Sequence, residues 1–239
     1  MSRIAENLQV VTKTIADAAA QAGRAADSVQ LLAVSKTFGP EAVLDAVHAG
    51  QRAFGENYVQ EGVDKVAAVG AALNATAPEV QLEWHFIGPI QSNKTRPIAE
   101  NFAWVHTIER EKIAVRLNEQ RPETLAPLQV CLQVNTSGEA SKSGIPPDEV
   151  AALARAVQGL PRLKLRGLMS IPEPEDDFDR QRAAFRVLRE LYDSLRAAGI
   201  ELDTLSMGMS ADMRAAIMEG ASIVRVGSAI FGARNYHNA

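Results

Sequence analysis

Three places in this chain carry residues that could do chemistry. The first is QLLAVSKTFGP, residues 30–40, where an apolar run ends in Lys36 and turn formers Gly39 and Pro40 follow. Such a run reads as a strand buried on both faces. A lysine at its tip is ordinarily a side chain that has reached solvent. Partial burial would instead lower its pKa and make it a nucleophile able to form a Schiff base with a carbonyl carbon. The second place is SMGMSADMRAAI, residues 206–217, which leaves a strand through glycine and serine and enters a helix. Ser210 reads there as the N-cap, and exposed N–H groups with the helix dipole would favour an anion. The third is IVRVG at 223–227, running on through Ser228. Alternation puts Arg225 on the face of Ile223 and Gly227. An arginine inside a strand needs a partner: either a carboxylate within the fold or an acceptor on a ligand.

The elements that would position these residues alternate in type. Ile4, Leu8, Val11 and Ile15 mark a first helix that Gly23 stops. Strand-like runs follow at 29–36, 52–58, 82–88, 104–108, 128–135, 165–171, 202–208 and 222–227. Helical stripes lie between them, including Val150, Leu153, Ala154 and Val157, and Phe185, Leu188, Tyr192 and Leu195. Pro40, Ser92 and PPDE at 146–149 mark helix starts; Gly50, Gly199 and Gly220 mark stops. Eight strands alternating with helices predict an α/β fold, a single (β/α)₈ TIM barrel over residues 1–239, with a doubly wound open sheet as the alternative. In a barrel the C-terminal strand ends form the site face, and the loops after strands seven and eight are its recurrent phosphate site. Leu32, Val34 and Lys36 share one side of the first strand, so Lys36 would stand at the barrel mouth. Gly227 and Ser228 would join Ser210 around a phosphate.

Other strand ends are polar as well: GENYVQEG (55–62), HFIGPIQSNK (85–94) and VNTSGEASKSG (134–144). Asn57 and His85 lie among aromatics there, and His85 reads equally as a hydrogen-bonded core residue or a site residue. Composition excludes other classes. The 239 residues are 46% apolar and 23% charged with a formal net charge of −4, which offers no basic patch for nucleic acid. The charged N-terminal segment is neither a signal peptide nor a membrane span, so a cytoplasmic address is expected. The lone Cys131 lies in an apolar run and reads as an inert buried thiol. No Gly-x-Gly-x-x-Gly, Walker loop or His-Glu-x-x-His motif occurs, and no metal site is expected. A mouth lysine, a phosphate cradle and an inward arginine fit pyridoxal 5'-phosphate (PLP), whose pyridine nitrogen is met by Asp or Arg in PLP proteins.

With these residues in view, the sequence resembles the pyridoxal phosphate homeostasis proteins, single-domain relatives of the alanine racemase barrel. The resemblance is carried by AVSK, FGENYVQE, WHFIGPIQSNK, VNTSGEASKSG, GLMSI, SMGMSADMRAAI and RVGSAIFG, in that order along nearly the whole chain. It implies an alanine-racemase-like barrel without the C-terminal β-domain. Lys36 would be the Schiff-base lysine and Ser210, Gly227 and Ser228 would hold the phosphate. Arg225 would face the pyridine nitrogen, with Asn57 near the cofactor. It implies a PLP carrier without catalytic residues, a monomer or weak dimer, whose partners are PLP and PLP-dependent apo-enzymes. The alternative is a PLP-dependent amino-acid racemase. Those enzymes take their opposite-face tyrosine from the added β-domain; here Tyr58 or Tyr236 could substitute in principle. A barrel binding another phosphate ester is a third reading.

Overall fold

A computed structural model describes residues 2–137 and 143–233. Helix α1 (Arg3–Gln21) precedes the first strand, and its stripe of Leu8, Val11 and Ile15 is buried. Then βα units alternate: β1 (Gln30–Val34), α2 (Pro40–His48), β2 (Ala53–Glu56), α3 (Val59–Thr76), β3 (Glu83–Phe86) and α4 (Thr95–Asn101). β4 (Trp104–Ile108), α5 (Glu111–Gln120), β5 (Leu128–Gln133), α6 (Val150–Gln158), β6 (Leu163–Met169) and α7 (Phe178–Ala197) continue the series. β7 (Thr204–Ser206), α8 (Met213–Met218), β8 (Ile223–Val226) and the short α9 (Ser228–Phe231) complete it. The expected helix stops behave as such: Gly23, Gly50, Gly199 and Gly220 all have positive φ, where a Cβ is disfavoured. Ser92 opens a single 3₁₀ turn ahead of α4.

The eight strands pair in sequence order, all parallel, and β8 pairs with β1 to close the barrel. Register at that seam runs from Gln30 opposite Ile223 to Ala33 opposite Val226. The open-sheet alternative is thereby excluded. Period-two alternation divides the side chains between two cores. Outward residues such as Ala33, Phe54, Trp84, Val105, Val130, Leu168, Val224 and Val226 pack against the helices. Inward residues Leu32, Val34, Ala53, Ile87, Trp104, Cys131, Met169 and Ile223 form a second, smaller cluster.

The seams between consecutive loops are tight. A Cβ on Gly88, just beyond β3, would lie 2.0 Å from the backbone oxygen of Asn57 beyond β2. The Gly88 carbonyl meanwhile accepts a hydrogen bond from Thr107 Oγ1 at 2.6 Å. Gly88→Ala therefore forces the Asn57 backbone to move. Overpacking of this kind costs about 1–3 kcal/mol, and the melting temperature should fall by about 2–4 °C per kcal/mol at this chain length. A thermal melt checks this; an unchanged midpoint would mean the loops give way freely.

Candidate functional site

The C-terminal rim gathers the residues singled out from sequence. Lys36 is the second residue past β1, half-buried, with Leu32 and Val34 below it on the inward side of the strand. Next to it across the closing seam, β8 ends at Val226, and Gly227 follows. A Cβ on Gly227 would sit 3.2 Å from the Val34 carbonyl oxygen, so the chain after β8 lies against the end of β1. Ser228 opens the four-residue α9 and is exposed. Asn57, directly after β2, has a buried Oδ1 without a hydrogen-bond partner. The hydroxyl of Ser170, directly after β6, is likewise buried and unpartnered. Strands β6, β7, β8, β1 and β2 are consecutive neighbours in the barrel, so these groups occupy one arc of the rim.

Ser210 differs from expectation. It is partly buried in the loop after β7, but the helix begins at Met213 and its N-cap is Asp212. The Asp212 carboxylate accepts from Met209 N–H at 2.6 Å, inside the loop, and gives the helix no side-chain cap. The loop turns back on itself here, with Gly208 at φ +96°, and the helix starts two residues later than a Ser210 cap would have it. With α8 six residues long and α9 four, an anion at this rim would be met by hydroxyls and loop N–H groups. Among the described residues, the backbone N–H groups of Ser210, Ala211, Ser228 and Ala229 have no protein acceptor. Unpartnered N–H groups and hydroxyls from two adjacent strand ends suit a phosphate.

Arg225 is buried and points into the barrel. Its Nη1 donates to Ser206 Oγ at 2.8 Å and its Nη2 to the Ser170 carbonyl at 3.0 Å. Among the described residues it makes no ion pair, so the reading of an internal salt bridge fails. Burial holds its pKa down at about 10, with Asp212 pulling the other way. It therefore stays a guanidinium at neutral pH. Cys131 is buried in the inward cluster, its thiol pushed up to about 12 by burial, as expected of an inert residue. His85 is a fully buried barrel residue, hydrogen-bonded to Glu83 and His106. Of its two open readings, the core one describes its position. Tyr58 stands exposed beyond β2, whereas Tyr236 and the middle of VNTSGEASKSG lie outside the described residues.

Alternation sends the neighbours of Lys36 to the other side of the wall. Ser35 is fully buried, and its hydroxyl donates to Glu56 Oε1 at 2.5 Å. Lys65 of α3, itself buried, reaches the same Glu56 oxygen at 2.7 Å, the Ser35 carbonyl at 2.8 Å and Glu61 at 2.9 Å. Glu61 in turn accepts from Thr37 N–H at 2.6 Å. Thr37 has φ +69°, the left-handed region, the one such non-glycine among the described residues. This network pins the backbone on both sides of Lys36. Sequence reasoning missed it; the signal was Glu61 and Lys65 at helical i, i+4 spacing, but nothing local points them at Ser35.

The chain from residue 3 to 235 matches the family model described as the alanine racemase N-terminal domain. The chain belongs to that family. Over 236 residues it is 58% identical to the pyridoxal phosphate homeostasis protein of Vibrio cholerae serotype O1, covering 99% of this chain and 98% of that one. Among solved structures, an unknown protein from Bifidobacterium adolescentis is similar at 34% identity and TM-score 0.88, covering 95% of this chain and 94% of its own. PipY of Synechococcus elongatus PCC7942, solved with PLP bound, is similar at 35% identity and TM-score 0.81, over 96% of this chain and 100% of that one.

Burial raises the pKa of Glu56 more than Lys65 and Ser35 lower it. Stability from this carboxyl accordingly declines as pH rises from the unfolded carboxylate range through the raised folded value. Lys65→Met would leave a buried carboxylate without its cation, a loss of about 3–5 kcal/mol. That loss should shrink as the pH is lowered and Glu56 takes up a proton. Urea unfolding of both proteins across the acid range checks it. A penalty that stays constant or grows towards low pH would place the charge elsewhere.

Proposed function

We propose that this protein binds PLP at the rim arc and holds it covalently on Lys36 as part of cellular PLP homeostasis. The observation that carries the reading is the β8–β1 seam, which sets a half-buried lysine beside the Gly227–Ser228 turn. The residues present fit the group. Unpartnered loop N–H groups and the hydroxyls of Ser210 and Ser228 suit the phosphate, and Gly227 leaves room for it to approach the backbone. The buried, unpartnered Asn57 Oδ1 and Ser170 Oγ are polar atoms that a ligand would satisfy. Bound PLP supplies an aldehyde, with which the Lys36 amine condenses with loss of one water. The relatives named pyridoxal phosphate homeostasis proteins support a homeostatic role, and release of the cofactor to PLP-dependent apo-enzymes is part of the proposal.

Arg225 supports a carrier in preference to a racemase. A guanidinium facing the pyridine nitrogen can donate a hydrogen bond but keeps its proton at neutral pH. The ring then remains a weak electron sink. Racemisation further needs an acid and a base on opposite faces of the substrate carbon. Lys36 serves one face; Tyr58 is the described tyrosine nearest to a rim position for the other.

Lys36→Ala should abolish the visible absorption that PLP confers while leaving the circular dichroism intact. Borohydride reduction with peptide mapping should find the pyridoxyl group on Lys36, and a label confined to another lysine would overturn the assignment. Ser210→Ala combined with Ser228→Ala should weaken PLP by about tenfold or more and unphosphorylated pyridoxal far less. Equal losses would put the phosphate elsewhere. Incubated with L- or D-alanine in deuterium oxide, the loaded protein should give no inversion. Inversion at ordinary turnover, about 1–10³ per second, would make it a racemase and Tyr58 the first residue to test.

A further inference from the structure

The barrel interior holds an unbroken row of polar side chains between its two rims. Glu83 stands at the N-terminal rim at the start of β3, its side chain 42% exposed. Its Oε1 lies 2.8 Å from Nε2 of His85, which is fully buried. Nδ1 of His85 lies 2.9 Å from Nε2 of His106 on β4, also fully buried. Nδ1 of His106 lies 2.7 Å from Oγ of Ser206 on β7. Ser206 accepts from Arg225 Nη1 at 2.8 Å. Each link is of hydrogen-bond length, and each member comes from an inward strand position.

The direction of every bond is forced. A carboxylate only accepts, so His85 must carry its proton on Nε2. A neutral imidazole then has a bare Nδ1, and His106 must donate to it from Nε2–H. The bare Nδ1 of His106 in turn accepts from the Ser206 hydroxyl, whose remaining lone pairs take the Arg225 N–H. Burial keeps both histidines neutral, lowering His85 against the pull of Glu83 and His106 much further. The hydrogen bond from His85 holds the Glu83 carboxyl down at about 2, so it is ionised throughout the working range. Trp104 stacks on the His85 ring at 5.2 Å between centroids and 6° between planes. That contact fixes the plane of the imidazole.

We propose that Glu83 is a positioning residue for the site at the opposite rim: through His85, His106 and Ser206 it sets the direction of the hydrogen-bond chain that aims Arg225 at the ligand's ring nitrogen. The proposal rests on the PLP reading above for the ligand but not for the chain. With Ser206 holding Nη1 and the Ser170 carbonyl holding Nη2, the guanidinium plane is fixed before any ligand arrives. Take away the acceptor at Glu83 and the sense of the chain is no longer imposed. His85 then loses its reason to protonate Nε2, and Nδ1–H of each histidine becomes available. His106 can then donate to Ser206, whose own proton loses its acceptor, and the oxygen that holds Arg225 is left gripped only by bonds it accepts.

The test has one arm that needs no ligand. In protein labelled with ¹⁵N-histidine, long-range ¹H–¹⁵N spectra should show His85 and His106 as neutral Nε2–H tautomers. Glu83→Leu should change the tautomer of at least one of them, whereas Glu83→Gln, which keeps an acceptor oxygen, should preserve both. The second arm compares PLP with its 1-deaza analogue, which lacks the ring nitrogen. Glu83→Leu should weaken PLP by about three- to tenfold, the worth of one misaligned hydrogen bond, and leave the analogue unaffected, with Glu83→Gln restoring PLP binding. Wild-type histidines protonated on Nδ1, or tautomers indifferent to Glu83→Leu, would overturn the chain. Equal losses for PLP and the analogue would reduce Glu83 to a structural residue and overturn the positioning role. If the wild-type protein failed to bind PLP while its tautomers ran as stated, the fault would lie with the proposed ligand instead.

Discussion

Closure of the sheet between β8 and β1 is the constraint from which the site follows. Parallel strands joined by helical crossovers send every C-terminal end to the same rim. An open sheet would achieve that much, yet leave its first and last strands at opposite edges. Pairing Ala33 with Val226 brings Lys36 and Arg225, nearly the whole chain apart, to neighbouring strands. The packing there is close: the Gly227 Cα faces the Val34 carbonyl at a distance that a side chain would crowd. A glycine after β8 thus eases the seam as well as leaving an opening for a ligand.

Closure also creates an interior that is only partly apolar. Leu32, Val34, Ala53, Ile87, Trp104, Cys131, Met169 and Ile223 fill part of it, while buried polar residues that include Arg225, the two histidines and Ser206 fill another part. Burying a guanidinium costs several kcal/mol unless its donors are satisfied. Here the offset comes from oxygen acceptors and from a row of neutral imidazoles ending in an ionised carboxylate at solvent. Uncharged links avoid placing a second buried charge beside Arg225. The wall of the barrel is equally organised on its outer side, where Ser35, Glu56 and Lys65 brace the backbone that carries Lys36.

How much of this was legible from the sequence depended on range. Apolar runs of four to eight residues with glycine stops located all eight strands, because strand burial and helix termination are local properties. Alternation correctly placed Leu32 and Val34 on one side and Ile223 and Arg225 on the inward face, since the pleat repeats every two residues whatever the partners. The helix start after β7 was misread. Ser210 and Asp212 are both competent caps, and the choice fell to a loop in which Asp212 bonds Met209 N–H and the helix waits until Met213.

The partners of the buried polar groups lay beyond any local reading. A histidine in WVHTI and a serine at the end of β7 are each unremarkable, and their hydrogen bond joins residues one hundred positions apart. Glu61 and Lys65 have the i, i+4 spacing of an ordinary surface pair, and folding turned the lysine under the β1–β2 rim. Residue type and spacing decided which elements form and which way each side chain faces, because steric and hydrophobic preferences act within a few residues. Tertiary structure alone decided which polar atoms meet. That depends on strand order, register and closure, which bring together groups that have no preference for one another until water is excluded around them.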